Sequence, residues 1–177
     1  MKLPQCSFTD IVGALKALCI PGCAIEVRGL SKTSAPLVGF FNDPVKAANE
    51  ICNRDHEGVM GWYVTINPLP VDMLARIDNR LRIPNKGENV SALDADILYR
   101  SSFTLDIDPK RDNKVSASAA EHERALLKAH DIASTMRDWH GWSDPDIIDS
   151  GNGAHVRWPI RLENDPDSTT LCKNALT

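Results

Sequence analysis

Apolar residues recur at helical spacing over residues 9 to 18, where Ile11, Val12, Leu15 and Leu18 share one face before Pro21-Gly22 stops the run. A short strand at about Ala24 to Val27 follows, and the unbroken apolar stretch Leu37 to Phe41 predicts a buried strand. Asp43 before Pro44 supplies an N-cap with proline at the first helical position, which opens a helix to about Asn53. Gly61 to Asn67 alternates and is rich in aromatic and β-branched residues, so it predicts a strand. Pro70 then predicts the start of a helix running to about Leu81. This first half reads as an α/β unit.

Residues 82 to 95 are polar and turn-prone, with Pro84, Asn85, Lys86 and Gly87, and mark a loop or a boundary between halves at about 1–90 and 91–177. The second half opens on Phe103-Thr104-Leu105, an apolar, β-prone strand leading into Asp106-Ile107-Asp108. Ser118-Ala119-Ala120-Glu121 fits a capping box, and Leu126, Ala129, Ile132 or Ala133, Met136 and Trp139 continue at helical spacing into Gly141. Asp146 to Ile148 and His155 to Ile160 predict two strands joined by the Ser150-Gly151-Asn152-Gly153-Ala154 turn. The expected fold is a single mixed α/β (α+β) domain.

Composition narrows the class. With 177 residues the chain can bury one sizeable core, and 42% apolar with 25% charged residues is ordinary for a soluble globular protein. No apolar run of the length needed to span a bilayer occurs, and the first residues do not resemble a secretory signal, so a cytoplasmic protein is expected. Five scattered cysteines favour reduced thiols over a disulfide framework, and the wide spacing of Cys19 and Cys23 from Cys6 and Cys52 argues against a zinc site. A net charge of −4 excludes bulk electrostatic coating of nucleic acid, although it leaves room for a site where metal ions and a few Arg or Lys residues face phosphates.

Two elements carry candidate chemistry. Side chains alternate along a strand, so Asp106 and Asp108 point the same way, roughly 7 Å apart at about 3.4 Å per residue. Two carboxylates so placed suit a hard divalent cation, Mg²⁺ or Mn²⁺, and the Pro109-Lys110-Arg111 that follows places cationic side chains near where phosphates could lie. The plain alternative is a solvated strand end whose carboxylates cap a loop. In Ser150 to His155, Gly151 and Gly153 lack Cβ and could let backbone N–H groups approach an anion, with the Ser150 hydroxyl and His155 imidazole donating to phosphate oxygens. The plain alternative is a tight hairpin that uses glycine for positive φ. Trp139, Trp142 and Trp158 are expected in the core, and His56, His122, His130 and His140 at the surface or in packing roles.

These motifs, in order and with a helix between them, resemble the archaeo-eukaryotic primase superfamily, in particular the primase/polymerase domains of plasmids, phages and mobile elements. The matching text is Gly61-Trp62-Tyr63-Val64-Thr65-Ile66-Asn67-Pro68, Leu93-Asp94-Ala95-Asp96-Ile97-Leu98, Phe103 to Arg111, Glu121-His122 and Asp149 to His155, covering most of the chain from about Leu37 onward. The resemblance implies an N-terminal α/β unit followed by a unit related to the RNA-recognition motif. It implies a template-directed nucleotidyltransferase, with Asp106 and Asp108 as metal ligands and catalytic carboxylates. Ser150, Gly151, Gly153 and Arg111 would contact the incoming nucleotide, as would His155, which is also a catalytic residue. Partners would be single-stranded DNA template and NTP or dNTP, with a helicase domain elsewhere in the parent protein. The family's third motif, an apolar residue followed by aspartate, is not reached before Thr177, and Asp165 and Asp167 lie too soon after the second motif to supply it. Asp167 or Ser168 is instead expected to cap a further helix, and the chain is expected to be a fragment or a truncated homologue.

Two rival functions share parts of this text. A catalytically inactive nucleic-acid-binding accessory module would fit the missing third carboxylate. A haloacid-dehalogenase-type phosphohydrolase also begins with a strand ending in Asp-x-Asp, but it needs a small or hydroxyl residue soon after the second Asp and a later Lys with an acidic pair, which the downstream text does not supply.

Overall fold

The computed structural model describes residues 7–31, 35–54, 58–110 and 115–175. The described residues form a mixed α+β structure with four helices and two antiparallel sheets. The chain divides into two compact units, one of Met1–Arg100 with Leu162–Leu171 and one of Ser101–Arg161 with Cys172–Thr177. Set beside the halves expected from the text, the division lies after Arg100, and a later segment belongs to the first unit.

The first unit begins with α1 (Phe8–Leu18), whose Ser7 side chain and Asp10 form a reciprocal capping box. The strands β1 (Cys23–Ser31), β2 (Leu37–Phe41) and β3 (Val59–Val64) form a sheet in the order β2-β1-β3, and the short β4 (Leu69–Pro70) pairs with β1 as well. Between β2 and β3 runs α2 (Pro44–Arg54), capped by Asp43, whose Oδ1 accepts from the Val45 and Lys46 N–H groups. Alternation sends Ile25, Val27 and Phe41 to one face, where they pack with Leu15, Ala47, Ala48 and Ile51. The opposite face carries Ala24, Val38 and Phe40, which pack with Leu69, Met73, Ile77 and Val90.

The helix expected from Pro70 to about Leu81 is corrected. Val71–Ala75 forms a short 3-10 helix, after which the chain turns through Asn79 (φ 45°) and returns along β2. Phe40 N–H donates to the Ile77 carbonyl at 3.2 Å, and Val38 and Arg82 exchange bonds at 2.9 and 3.0 Å. Met73, Ile77 and Leu81 are thus buried by wrapping around a strand, a placement that mimics the four-residue spacing of a helix face. β1 extends past the expected end at Val27, and β3 begins and ends earlier than Gly61 to Asn67.

In the second unit, β5 (Tyr99–Ile107, of which Ser101–Ile107 lie in this unit), β7 (Ala154–Glu163) and β6 (Asp146–Asp149) form a sheet in the order β5-β7-β6. The long helix α3 (Ala119–His140) has the expected Ser118/Glu121 capping box. One face of the sheet packs on it through Phe103, Ala154, Val156 and Trp158 against Ala129 and Ala133, with Leu126, Ile132 and Met136 adjoining. Phe103, Trp142 and Trp158 cluster with ring centroids 5.2–6.1 Å apart. Trp139, expected in this core, is instead 83% exposed. α4 (Pro166–Asn174), most of which, through Leu171, belongs to the first unit, is capped by Asp165, whose Oδ1 accepts from Ser168 N–H at 2.7 Å; the expected cap at Asp167 or Ser168 is corrected to this residue, two or three positions earlier.

These burials set an expected contrast between two tryptophans. Trp158→Ala, at a 2% exposed position, should lower unfolding free energy by about 3–5 kcal/mol. Trp139→Ala should change it by no more than about 0.5 kcal/mol. Chemical denaturation monitored by circular dichroism measures both.

Candidate functional site

The open face of the second unit's sheet carries the carboxylates. Because Phe103, Leu105 and Ile107 turn toward α3, the residues between them face away, as the 2.9 Å contact between the Ser102 and Thr104 hydroxyls also shows. Asp106 shares that outer face with its side chain 67% exposed, and Asp108 follows just past the strand end, also exposed. The strand is half-buried by α3 and its acidic end is exposed.

The same alternation on β7 buries Ala154, Val156 and Trp158 and turns His155 outward. β7 is the central strand, so His155 lies between β5 and its registered partner Ile148 on β6. Its Nε2 stands 3.4 Å from Asp106 Oδ1. Two positions far apart in the text thus meet across one pair of strands. Further along the same face, Arg157 is paired with Asp146 at 2.6 Å and is only 15% exposed in its side chain.

Glycine makes this approach possible. A Cβ on Gly153 would lie 2.2 Å from the Ile107 carbonyl oxygen, closer than real Cβ atoms come, and a tight 3.0 Å from Asp108 Oδ1. The turn before it is closed by its own polar groups. Gly153 N–H donates to Ser150 Oγ at 3.0 Å, Ser150 N–H donates to the Gly153 carbonyl at 3.2 Å, and Gly151 N–H donates to Asp149 Oδ1 at 2.7 Å. Both glycine N–H groups are therefore engaged inside the turn, whereas the exposed Ser150 oxygen, although it accepts a bond, keeps its hydroxyl proton to donate.

Two side chains to which the sequence motifs gave no role in the site, those of His122 and Asn152, fasten the turn. His122, in the first turns of α3, lies with Nε2 2.7 Å from Asp149 Oδ1; an ionised carboxylate only accepts, so this nitrogen carries the proton. Asn152 Oδ1 accepts from Ala117 N–H at 3.0 Å, which ties the turn to the segment ahead of α3. The Gly151 N–H first, and then His122, hold the Asp149 carboxyl below its ordinary value of 3.8. The helix-start Glu121-His122 text was the available signal for His122, but its partner lies across a non-local contact. Arg111, expected as a helper at the phosphates, lies outside the described residues.

Among the described residues, no three His, Cys, Asp or Glu side chains gather into a group able to hold a metal by themselves. The four described cysteines, Cys19, Cys23, Cys52 and Cys172, form no disulfide. No helix among the described residues is long and apolar enough to cross a membrane. Comparison with known protein families, curated proteins and solved structures finds no match to this chain.

Two outcomes follow from this geometry. Gly153→Ala should destabilise the protein by about 1–3 kcal/mol and reduce hydrogen-exchange protection at the start of β7, because β5 and the turn must separate. The Asp149 carboxyl is lowered on folding, so its contribution is full above about 3.8 and is lost as pH falls through the lower folded value. The stability gap between the parent and Asp149→Asn should accordingly close on acidification, as denaturation at a series of pH values would measure.

Proposed function

We propose that the second unit is the active-site unit of a template-directed nucleotidyltransferase of the primase/polymerase kind, acting on single-stranded DNA and nucleoside triphosphates. The observation that carries this reading is the 3.4 Å approach of His155 Nε2 to Asp106 Oδ1 on an open, solvated sheet face. Acidic oxygens and an imidazole on one surface suit a substrate that is polyanionic and arrives with cations.

Asp106 and Asp108 would hold Mg²⁺ or Mn²⁺. Two exposed carboxylates fit such an ion, because Mg²⁺ commonly takes one or two carboxylates and completes its shell with water and substrate phosphates. When bound, the metal supplies charge neutralisation at the triphosphate and activation of the attacking hydroxyl. Ser150 donates its hydroxyl proton, and His155 its imidazole proton, to phosphate oxygens in a position set by the closed turn. Gly151 and Gly153 serve by shaping that turn and allowing its close approach to β5, and His122 and Asn152 hold it in place.

The alternative of an inactive nucleic-acid-binding module draws support from the absence of a third ligand beside Asp106 and Asp108 among the described residues. The phosphohydrolase reading draws none, since the strand beside Asp106 offers His155 and Arg157 in place of a lysine with an acidic pair.

Primer extension with dNTPs and Mn²⁺ tests the reading. The parent chain should extend a primed template, Asp106→Ala and Asp108→Ala should each abolish extension, and His155→Ala and Ser150→Ala should each reduce it by about 100-fold or more. Template binding without synthesis, unchanged in both aspartate variants, would favour the accessory module, and template-free phosphate release from small phosphoesters would favour the hydrolase.

A further inference from the structure

The first unit holds a cavity of about 360 Å³ that no step of the proposed reaction uses, lined by Glu26, Arg28, Tyr63, Thr65, Leu93 and Asp94, among others. Its volume falls in the range of small-molecule sites, about 300–1,000 Å³. The β1–β3 register sets Arg28 directly opposite Tyr63, so both stand on one sheet face. Glu26 and Thr65 flank them, with Glu26 N–H donating to Thr65 Oγ1 at 3.0 Å.

Glu26 is the unusual member. Its side chain is 1% exposed in the middle of a strand, where an ionised carboxylate is costly unless fully paired. Arg28 supplies the pairing through Nε at 2.7 Å and Nη2 at 3.3 Å, and Ala92 N–H adds a third bond at 3.0 Å. The carboxylate thereby locks the guanidinium plane, while Nη1 has no hydrogen-bond partner among the described residues and the Arg28 side chain remains 40% exposed. An arginine held this way is a preorganised donor at the cavity surface.

The charges decide what it would take. Glu26 cancels Arg28, and Asp94 adds a further negative charge to the lining, so a phosphate or free carboxylate is disfavoured. Arg28 itself disfavours a cation. A neutral, flat ring with acceptors on its edge fits: Arg28 Nη1 and the Thr65 hydroxyl face acceptors, Asp94 can accept from a ring amine, and the 58% exposed Tyr63 offers an aromatic face for stacking. We propose that this cavity binds a single nucleobase, presented by a free nucleoside or by an unpaired position in a nucleic-acid strand. The assignment stands on the first unit's geometry and does not depend on nucleotidyl transfer by Asp106 and Asp108.

The test is nuclear magnetic resonance titration of the full chain with the four ribonucleosides and, separately, with a short single-stranded oligonucleotide. Saturable shifts at the Tyr63, Thr65 and Ala92 amides are expected, weakened by about tenfold in Tyr63→Ala, kept in Tyr63→Phe and unchanged in Asp106→Ala. Comparable affinity for nucleoside and oligonucleotide identifies the free nucleoside as the ligand, and much tighter oligonucleotide binding identifies a base within a strand. Tyr63 is exposed, so its removal leaves the core intact and a lost response reports the site. Absence of saturable shifts with every nucleoside and with the oligonucleotide, or shifts of equal affinity in Tyr63→Ala, overturns the proposal whether or not the protein extends primers.

Discussion

The contact between the Gly153 backbone and the Ile107 carbonyl is the constraint on which the candidate site depends. With no Cβ in the way, the start of β7 can close onto the end of β5 at a distance that any side chain would forbid. Strand alternation then propagates that placement: Ala154 goes into the core beside α3, and His155 is directed outward beside Asp106. A slip of one residue would bury the imidazole and expose Ala154 and Val156. The bonds from His122 to Asp149 and from Ala117 to Asn152 secure the same register from the helix side.

The two units handle charge in opposite ways. In the first, Glu26 is taken out of water and satisfied entirely by protein, which fixes Arg28 and the segment at Ala92 in one arrangement. In the second, Asp106 and Asp108 are exposed at the end of the open sheet face. Buried pairing gives a rigid recognition element, and exposure gives a surface that can collect cations at small desolvation cost.

Local signals made much of the fold legible. The Asp43-Pro44 cap, the Ser118/Glu121 capping box and the unbroken apolar Leu37 to Phe41 each act within a few residues, and each marks its element closely. Period-two alternation likewise places Asp106 and His155 on outward faces. What could not be read depends on contacts far along the chain. Met73, Ile77 and Leu81 have helical spacing, yet hydrogen bonds to Val38 and Phe40 draw that segment along β2. Glu26 and Arg28 look like the polar end of a short strand because their burial depends on one another. Trp139 carries helix periodicity to the last turn of α3 but lies beyond the sheet residues that cover the preceding turns. His122 and Asn152 act on the turn only once α3 has packed.

The central claim, that the acidic pair and the Ser150-to-His155 turn share one surface, is tested most directly by paramagnetic broadening with Mn²⁺ bound to the full chain. Substoichiometric Mn²⁺ should broaden the resonances of Asp106, Asp108 and the His155 ring together, and Asp106→Ala should relieve all three. Broadening at the two aspartates that leaves the His155 ring sharp would contradict the account.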